Sequence, residues 1–144
     1  MDPKDIIVAE ISNAVTQVVG KSAGAVFRRA GSSASQKLWP DLPSNLSAME
    51  AGEVIRKGIK ALGGFGDFSI VSEENGVANI EFKGCVFADY TSTTGVPVGE
   101  QVICYFGFGL VEETFRRLTG KQVKIELQKR DDGCGKCYET ATPR

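Results

Sequence analysis

The residues of this chain that can do chemistry gather near its C-terminus. Cys104, Glu126, Cys134 and Cys137 fall within one helix–strand–turn unit, and they include three of the four cysteines. Tetrahedral zinc takes nitrogen, sulfur and oxygen donors, and a chain without histidine can offer only thiolates and carboxylates. The turn Cys134-Gly135-Lys136-Cys137 lets both sulfurs face one point while backbone amides stabilise the thiolates. With a thiol from the helix and a carboxylate from the strand, four protein ligands close the site, which makes it structural rather than catalytic. The plainer alternative puts Cys104 in the core and Glu126 on a solvated strand face beside Lys124 and Gln128, with an incidental cysteine pair. A single Cys-x-x-Cys is half of a full zinc pattern. Cys85, followed by Val86 and Phe87, reads as buried packing; its alternatives are to replace Glu126 as a ligand or to line a pocket.

A second constellation is apolar. Gly107 and Gly109 interrupt a segment otherwise made of bulky residues, Val102, Ile103, Tyr105, Phe106, Phe108, Leu110 and Val111. Glycine in a helix costs about 1 kcal/mol per position relative to alanine. Either a close backbone approach or room for a ligand must offset that. Phe87, Tyr90, Phe106, Phe108 and Gly109 are therefore the candidate lining of an apolar ligand pocket, with plain core packing as the competing reading. Catalysis has little support. There is no histidine to act as a base near neutral pH. Gly63-Gly64-Phe65-Gly66 follows a helix and lacks the Lys-Ser/Thr end of a phosphate loop, so it reads as a helix stop. The chain is expected not to be an enzyme.

Those residues need elements to position them. Asp2-Pro3 starts a first helix, with Ile7, Ile11, Ala14, Val15 and Val18 on one stripe and Gly20 at its end. A second helix is predicted over 23–38, weakened by Gly24, Gly31 and its serines. Trp39-Pro40-Asp41-Leu42-Pro43 is a loop. Ser47 and Glu50 form a capping box ahead of Val54, Ile55, Ile59 and Leu62, and Gly63-Gly64 stops that helix. Asn75-Gly76 predicts a hairpin between the alternating runs around Ile70 and Ile80. A long helix is expected over 98–119, apolar nearly all round in its first half and turning Glu112, Glu113, Arg116 and Arg117 outward in its second. Strands at 121–128 and 138–142 follow. Runs of helices and strands, without alternation, indicate an α+β fold with an antiparallel sheet.

Size and charge narrow the function. At 144 residues, the chain is expected to be one domain, 1–144. Its 17 basic and 18 acidic residues are mixed along the sequence, and without a basic stripe nucleic-acid binding is not expected. No run approaches the roughly 18 apolar residues of a membrane span, and no signal peptide is evident. A cytoplasmic location follows as the expectation, and there cysteines serve metal binding, redox chemistry or packing more than disulfides.

The segment from Pro97 to Tyr138 resembles the 4-vinyl reductase domain family, a small-molecule or hydrocarbon-binding module. The residues that carry the likeness are Cys104 on an apolar helix, Gly109, Gly120 at the helix end, Val123 with Glu126 on a strand, and Cys134-Gly-Lys-Cys137 before Tyr138. Ala25-Val-Phe-Arg-Arg-Ala-Gly31 is similar to an earlier helix of that family. The resemblance implies N-terminal helices and one long buried helix on a small antiparallel sheet, as in TRAPP-type tethering subunits and haem-based nitric-oxide sensors. It implies a homodimer formed through the N-terminal helices. It also implies a zinc held by a helix cysteine, a strand glutamate and two later cysteines, here Cys104, Glu126 and Cys137. The family's cysteine three residues after the acidic position is Lys129 in this chain, and Cys134 is the available replacement. The functional expectation is a cytoplasmic homodimeric module that binds or senses a small hydrophobic ligand beside a structural zinc. The alternatives are a thiol redox sensor using Cys134 and Cys137, and a non-catalytic scaffold subunit.

Overall fold

The computed structural model describes residues 3–90, 95–97 and 100–144. Helix α1 spans Pro3–Val19, and a short 3-10 turn, Gly20–Ser22, joins it to α2, Ala23–Leu38. Helix α3, Ala48–Ala61, begins on the capping box. The Glu50 amide donates to Ser47 Oγ at 3.2 Å and the Ser47 amide to the Glu50 carboxylate at 3.0 Å. Strands β1, Asp67–Glu74, and β2, Val77–Lys83, form the hairpin, with Asn75 and Gly76 at φ 54° and 80° as a tight primed turn requires. A 3-10 turn, Val86–Tyr90, precedes α4, Cys104–Thr119, which ends on left-handed Gly120. Strands β3, Val123–Asp131, and β4, Lys136–Pro143, complete the order.

The four strands are antiparallel in the order β1-β2-β4-β3, which gives the expected α+β architecture. Two elements depart from the sequence reading. Helix α4 starts at Cys104, whereas a start at Val98 is predicted; Val98 and Gly99 lie outside the described residues. Buried Gln101 donates Nε2 to the Val96 carbonyl at 2.9 Å, tying the chain back across Pro97. Strands β3 and β4 run longer than predicted because a bulge between Leu127 and Lys129 re-registers the pair. Val123, Ile125 and Leu127 face the core before the bulge. After it, Arg130 pairs with Cys137 and donates to its sulfur at 3.3 Å.

Helices α3 and α4 cover one face of the sheet, where Ile55, Ile59, Phe68, Ile80, Phe115, Leu118 and Ile125 form the core. Each such side chain, fully buried, contributes roughly 1.5–3 kcal/mol. The opposite face is polar: Lys136 pairs with Glu81 at 2.7 Å, and the ammonium groups of Lys129 and Lys136 stand 5.8 and 5.7 Å from the Tyr138 ring centroid. Helix α2 packs on the side of α4 away from the sheet, so α4 is buried on both sides, as its unbroken apolar first half requires.

The α2–α4 crossing explains two glycines. A Cβ on Gly109 would lie 1.9 Å from the Arg28 carbonyl oxygen, and one on Gly31 would lie 2.0 Å from that of Phe106. Backbone meets backbone there, and Gly109 lines no ligand space. Ser35 and Thr114 share a buried hydroxyl hydrogen bond of 2.8 Å nearby. Glu112, expected to face outward, is instead buried in a latch. It receives Arg28 Nε at 3.1 Å and the Ile125 amide at 2.8 Å, while Arg28 Nη2 donates to the Ile125 carbonyl at 2.6 Å.

Helix α1 buries only small residues, Ala9 and Ser12, on its packed face. Its apolar stripe faces outward: Ile7, Ile11 and Val18 are 58%, 56% and 84% exposed. Among the described residues no helix is long and apolar enough to cross a membrane.

Candidate functional site

Between α4 and the sheet lies a cavity of about 40 Å³, closed on its α3 side by Ile59. Helix α4 supplies Cys104, Gly107, Phe108, Leu110 and Val111. Strand β2 supplies Phe82, strand β4 Cys137 and Glu139, and the segments flanking the hairpin supply Phe65, Cys85 and Phe87. The wall is mostly apolar, as small-molecule sites are. The rings of Phe65 and Phe87 meet edge to face at 5.6 Å, and those of Phe65 and Phe82 at 6.3 Å, a geometry that aromatic quadrupoles favour.

The sequence-predicted pocket residues divide. Phe87 and Phe108 line the cavity. Phe106 does not; it stacks on Phe87 at 6.4 Å within a small satellite cluster with Ile103, Val8 and Phe27. Gly109 faces α2, as described above. The Tyr90 side chain lies outside the described residues. Gly107 is the glycine that makes room: a Cβ there would meet nothing within 4 Å, and the residue lines the cavity.

The expected zinc ligands do not converge. Cys104 and Cys137 both line the cavity, with Cys85 beside them. Glu126 is on the opposite face of β3 from Ile125, exposed, and lines an edge groove with Arg28, Tyr105 and Lys124. Cys134 is exposed in the β3–β4 turn, its thiol 3.9 Å from the Asp131 carbonyl. The period of the strand separates Glu126 from the core face, and the hairpin turn separates Cys134 from Cys137. Among the described residues no group of three cysteine or carboxylate side chains is placed to hold a metal ion. All four cysteines are free thiols. Burial pushes the Cys85 thiol up to about 12, so it stays protonated at neutral pH. Burial also raises the Cys137 thiol, against the opposing effect of the Arg130 guanidinium.

Glu139 is the cavity residue that the sequence does not single out. It follows Cys137 by two positions and precedes Ala141 by two, so the strand period puts all three on the core-facing side. Its cross-strand neighbours there are apolar, Ile80 on β2 and Leu127 on β3. The residue is half-buried and retains accessible surface, as a cavity wall does, with apolar side chains on both flanking strands. Burial pushes its pKa up from 4.5 to about 7. Among the described residues it has no hydrogen-bonding or ionic partner. A carboxyl that holds its proton more tightly when folded adds stability that is complete below the unfolded pKa of 4.5 and is lost as pH rises to about 7. The loss is of the order of 3 kcal/mol. Glu139→Gln should flatten that part of the profile, and unfolding midpoints measured from pH 4.5 to 8 check it; parallel profiles for the two proteins would place the carboxyl in water.

No protein-family model matches the chain, so the likeness to the 4-vinyl reductase domain family is not carried by a whole-domain match. No curated protein matches it either. Among solved structures, it is similar to the phenol-responsive sensory domain of the transcription activator PoxR, crystallised with phenol. The TM-score is 0.66 at 12% identity, and the match covers 96% of this chain and 74% of that one. At that identity the likeness is one of fold: this chain shares the α+β fold of that structure.

Proposed function

We propose that this chain is a non-catalytic sensing domain whose small, mainly apolar organic ligand occupies the cavity between α4 and the sheet. The observation that carries the proposal is Gly107. A glycine in the first turn of α4, half-buried on the cavity wall with open space in place of a side chain, is a cost that a ligand-filled cavity offsets. The shared fold with a phenol-responsive sensory domain supports the reading. A ring-sized ligand needs more room than about 40 Å³, and Phe65 and Phe87, on the irregular segments flanking the hairpin, are the wall residues best placed to turn aside. Gly107→Leu tests the proposal. The leucine fills the cavity, and helix propensity favours it over glycine by up to about 1 kcal/mol. Calorimetric titration with phenol and ethylbenzene should show binding to the native protein and at least a tenfold loss in the variant, with folding intact. Equal binding by both proteins would move the ligand elsewhere.

Zinc is not part of this proposal, because two of its four expected ligands point away from the other two. The thiol-sensor reading is disfavoured by burial of Cys137, which keeps its thiol protonated and therefore slow to react. A homodimer formed through α1 is part of it. The outward stripe Ile7, Ile11 and Val18 is apolar surface left uncovered by the described residues, and a second copy of α1 offers the same stripe in return. Light scattering should give a dimer for the native protein and a monomer for the double variant Ile7→Glu/Ile11→Glu. A native monomer at micromolar concentration would remove the dimer.

A further inference from the structure

We propose that the ligand of this cavity is an organic ammonium: an apolar body bearing one protonated amine that pairs with Glu139. The inference rests on the cavity's being the ligand site and adds the chemical class of what it takes.

The charged side chains around the sheet are mostly paired within the chain. Arg28 answers Glu112, Arg130 reaches the Cys137 sulfur, and Lys136 answers Glu81 across the outer face. Glu139 stands apart. It lines the cavity, its cross-strand neighbours on the core side are Ile80 and Leu127, and among the described residues no arginine, lysine, amide or hydroxyl donates to it. A carboxyl set on an apolar cavity wall without a donor is costly, because charges removed from water are normally paired. An apolar residue at position 139 would fill the same space at no such cost. The missing partner is a cation small enough to share the cavity.

The rest of the wall suits a cation as well. Four phenyl rings, Phe65, Phe82, Phe87 and Phe108, line the cavity that holds the carboxyl. Aromatic rings attract ammonium groups through their quadrupole, and the attraction grows when water is excluded. The thiols of the wall are weak hydrogen-bonding groups and compete poorly for the carboxyl. A hydrocarbon would leave Glu139 unanswered, and an alcohol would give it one neutral hydrogen bond. An ammonium gives it a charge-assisted one, the stronger kind.

Three probes of nearly one shape separate these cases: benzylamine, benzyl alcohol and ethylbenzene, which end in an ammonium, a hydroxyl and a methyl group. Calorimetric titration at pH 7.5 should rank them in that order on the native protein, with benzylamine at least tenfold tighter than ethylbenzene. Glu139→Gln should erase the preference for benzylamine, and Glu139→Leu should make ethylbenzene the tightest. Both variants should remain folded, because removing an unpaired carboxylate from an apolar wall relieves a cost. Benzyl alcohol or ethylbenzene binding the native protein as tightly as benzylamine would overturn the ammonium assignment and leave the cavity reading standing. An unchanged ranking in Glu139→Gln would overturn it in the same way. Failure of all three probes to bind would overturn the cavity reading and this assignment with it.

Discussion

Gly109→Ala is expected to destabilise the protein by about 3 kcal/mol, whereas Gly107→Ala, two residues away on the same helix, should leave it as stable or up to about 1 kcal/mol more stable. The contrast follows from what each new methyl group meets. At position 109 it would lie 1.9 Å from the Arg28 oxygen, 2.7 Å from its carbonyl carbon and 2.8 Å from its Cα. All three are backbone atoms of α2, so no side chain can rotate away. Relief requires α2 and α4 to separate. Separation stretches the Ser35–Thr114 hydrogen bond and the Arg28–Glu112 pair, and at the same crossing Gly31 sits just as close to the Phe106 carbonyl. At position 107 the methyl enters open space, and the higher helix propensity of alanine is unopposed. Urea denaturation of both variants measures the difference. A Gly109→Ala protein within 1 kcal/mol of native would mean that the helices cross farther apart than this structure has them.

The same pair of glycines marks where the sequence stops being informative. Both stand out as glycines in an apolar helix, and both pose the same choice between ligand room and backbone contact. Only the position of α2 resolves it, and gives opposite answers at the two sites. Periodicity and capping fixed the elements well: the Ser47–Glu50 box, the Asn75-Gly76 turn and the Gly120 helix end are local features whose chemistry is complete within a few residues. The cysteine constellation is less local. Cys104 and Cys137 do meet at one cavity wall, since the apolar face of α4 and the core face of β4 are packed together. Glu126 alternates with Ile125, and that period alone placed it on the outer face. The types and spacing of the four candidate ligands suggest the zinc set, but they do not say which face of the strand Glu126 takes. Glu139 was legible by the same rule in reverse, because it shares parity with Cys137 and Ala141. A charged residue at an inward position is the signal, and recognising it requires that the short last strand be assigned its full extent from Lys136 to Pro143.

Arg28→Ala is expected to cost about 3–5 kcal/mol, far more than an ion pair at the surface. The two side chains are 20% and 11% exposed, so removing the guanidinium strands a buried carboxylate at Glu112. The pair also does for the edge of the sheet what another strand would do. Strand β3 is outermost, and the Ile125 amide and carbonyl are taken up by Glu112 and Arg28 at 2.8 and 2.6 Å. Arg28 further lies over the rings of Tyr105 and Phe108, 5.3 and 5.6 Å from their centroids, which adds cation–π attraction and packing to the charge. One residue of α2 thereby joins α4 to the sheet edge beside the cavity wall. Glu112→Gln keeps an oxygen for Arg28 but loses the charge, and should cost less than Arg28→Ala. The double variant Arg28→Ala/Glu112→Ala leaves no buried charge behind, so its loss should fall short of the sum of the two single alanine variants by about 1–3 kcal/mol. Hydrogen exchange supplies a local readout: the Ile125 amide should lose its protection in the Glu112→Ala protein before the core amides of α4 do. Strictly additive losses in the double variant, with unchanged Ile125 exchange, would reduce the latch to an ordinary surface pair and leave α2 held by the glycine crossing alone.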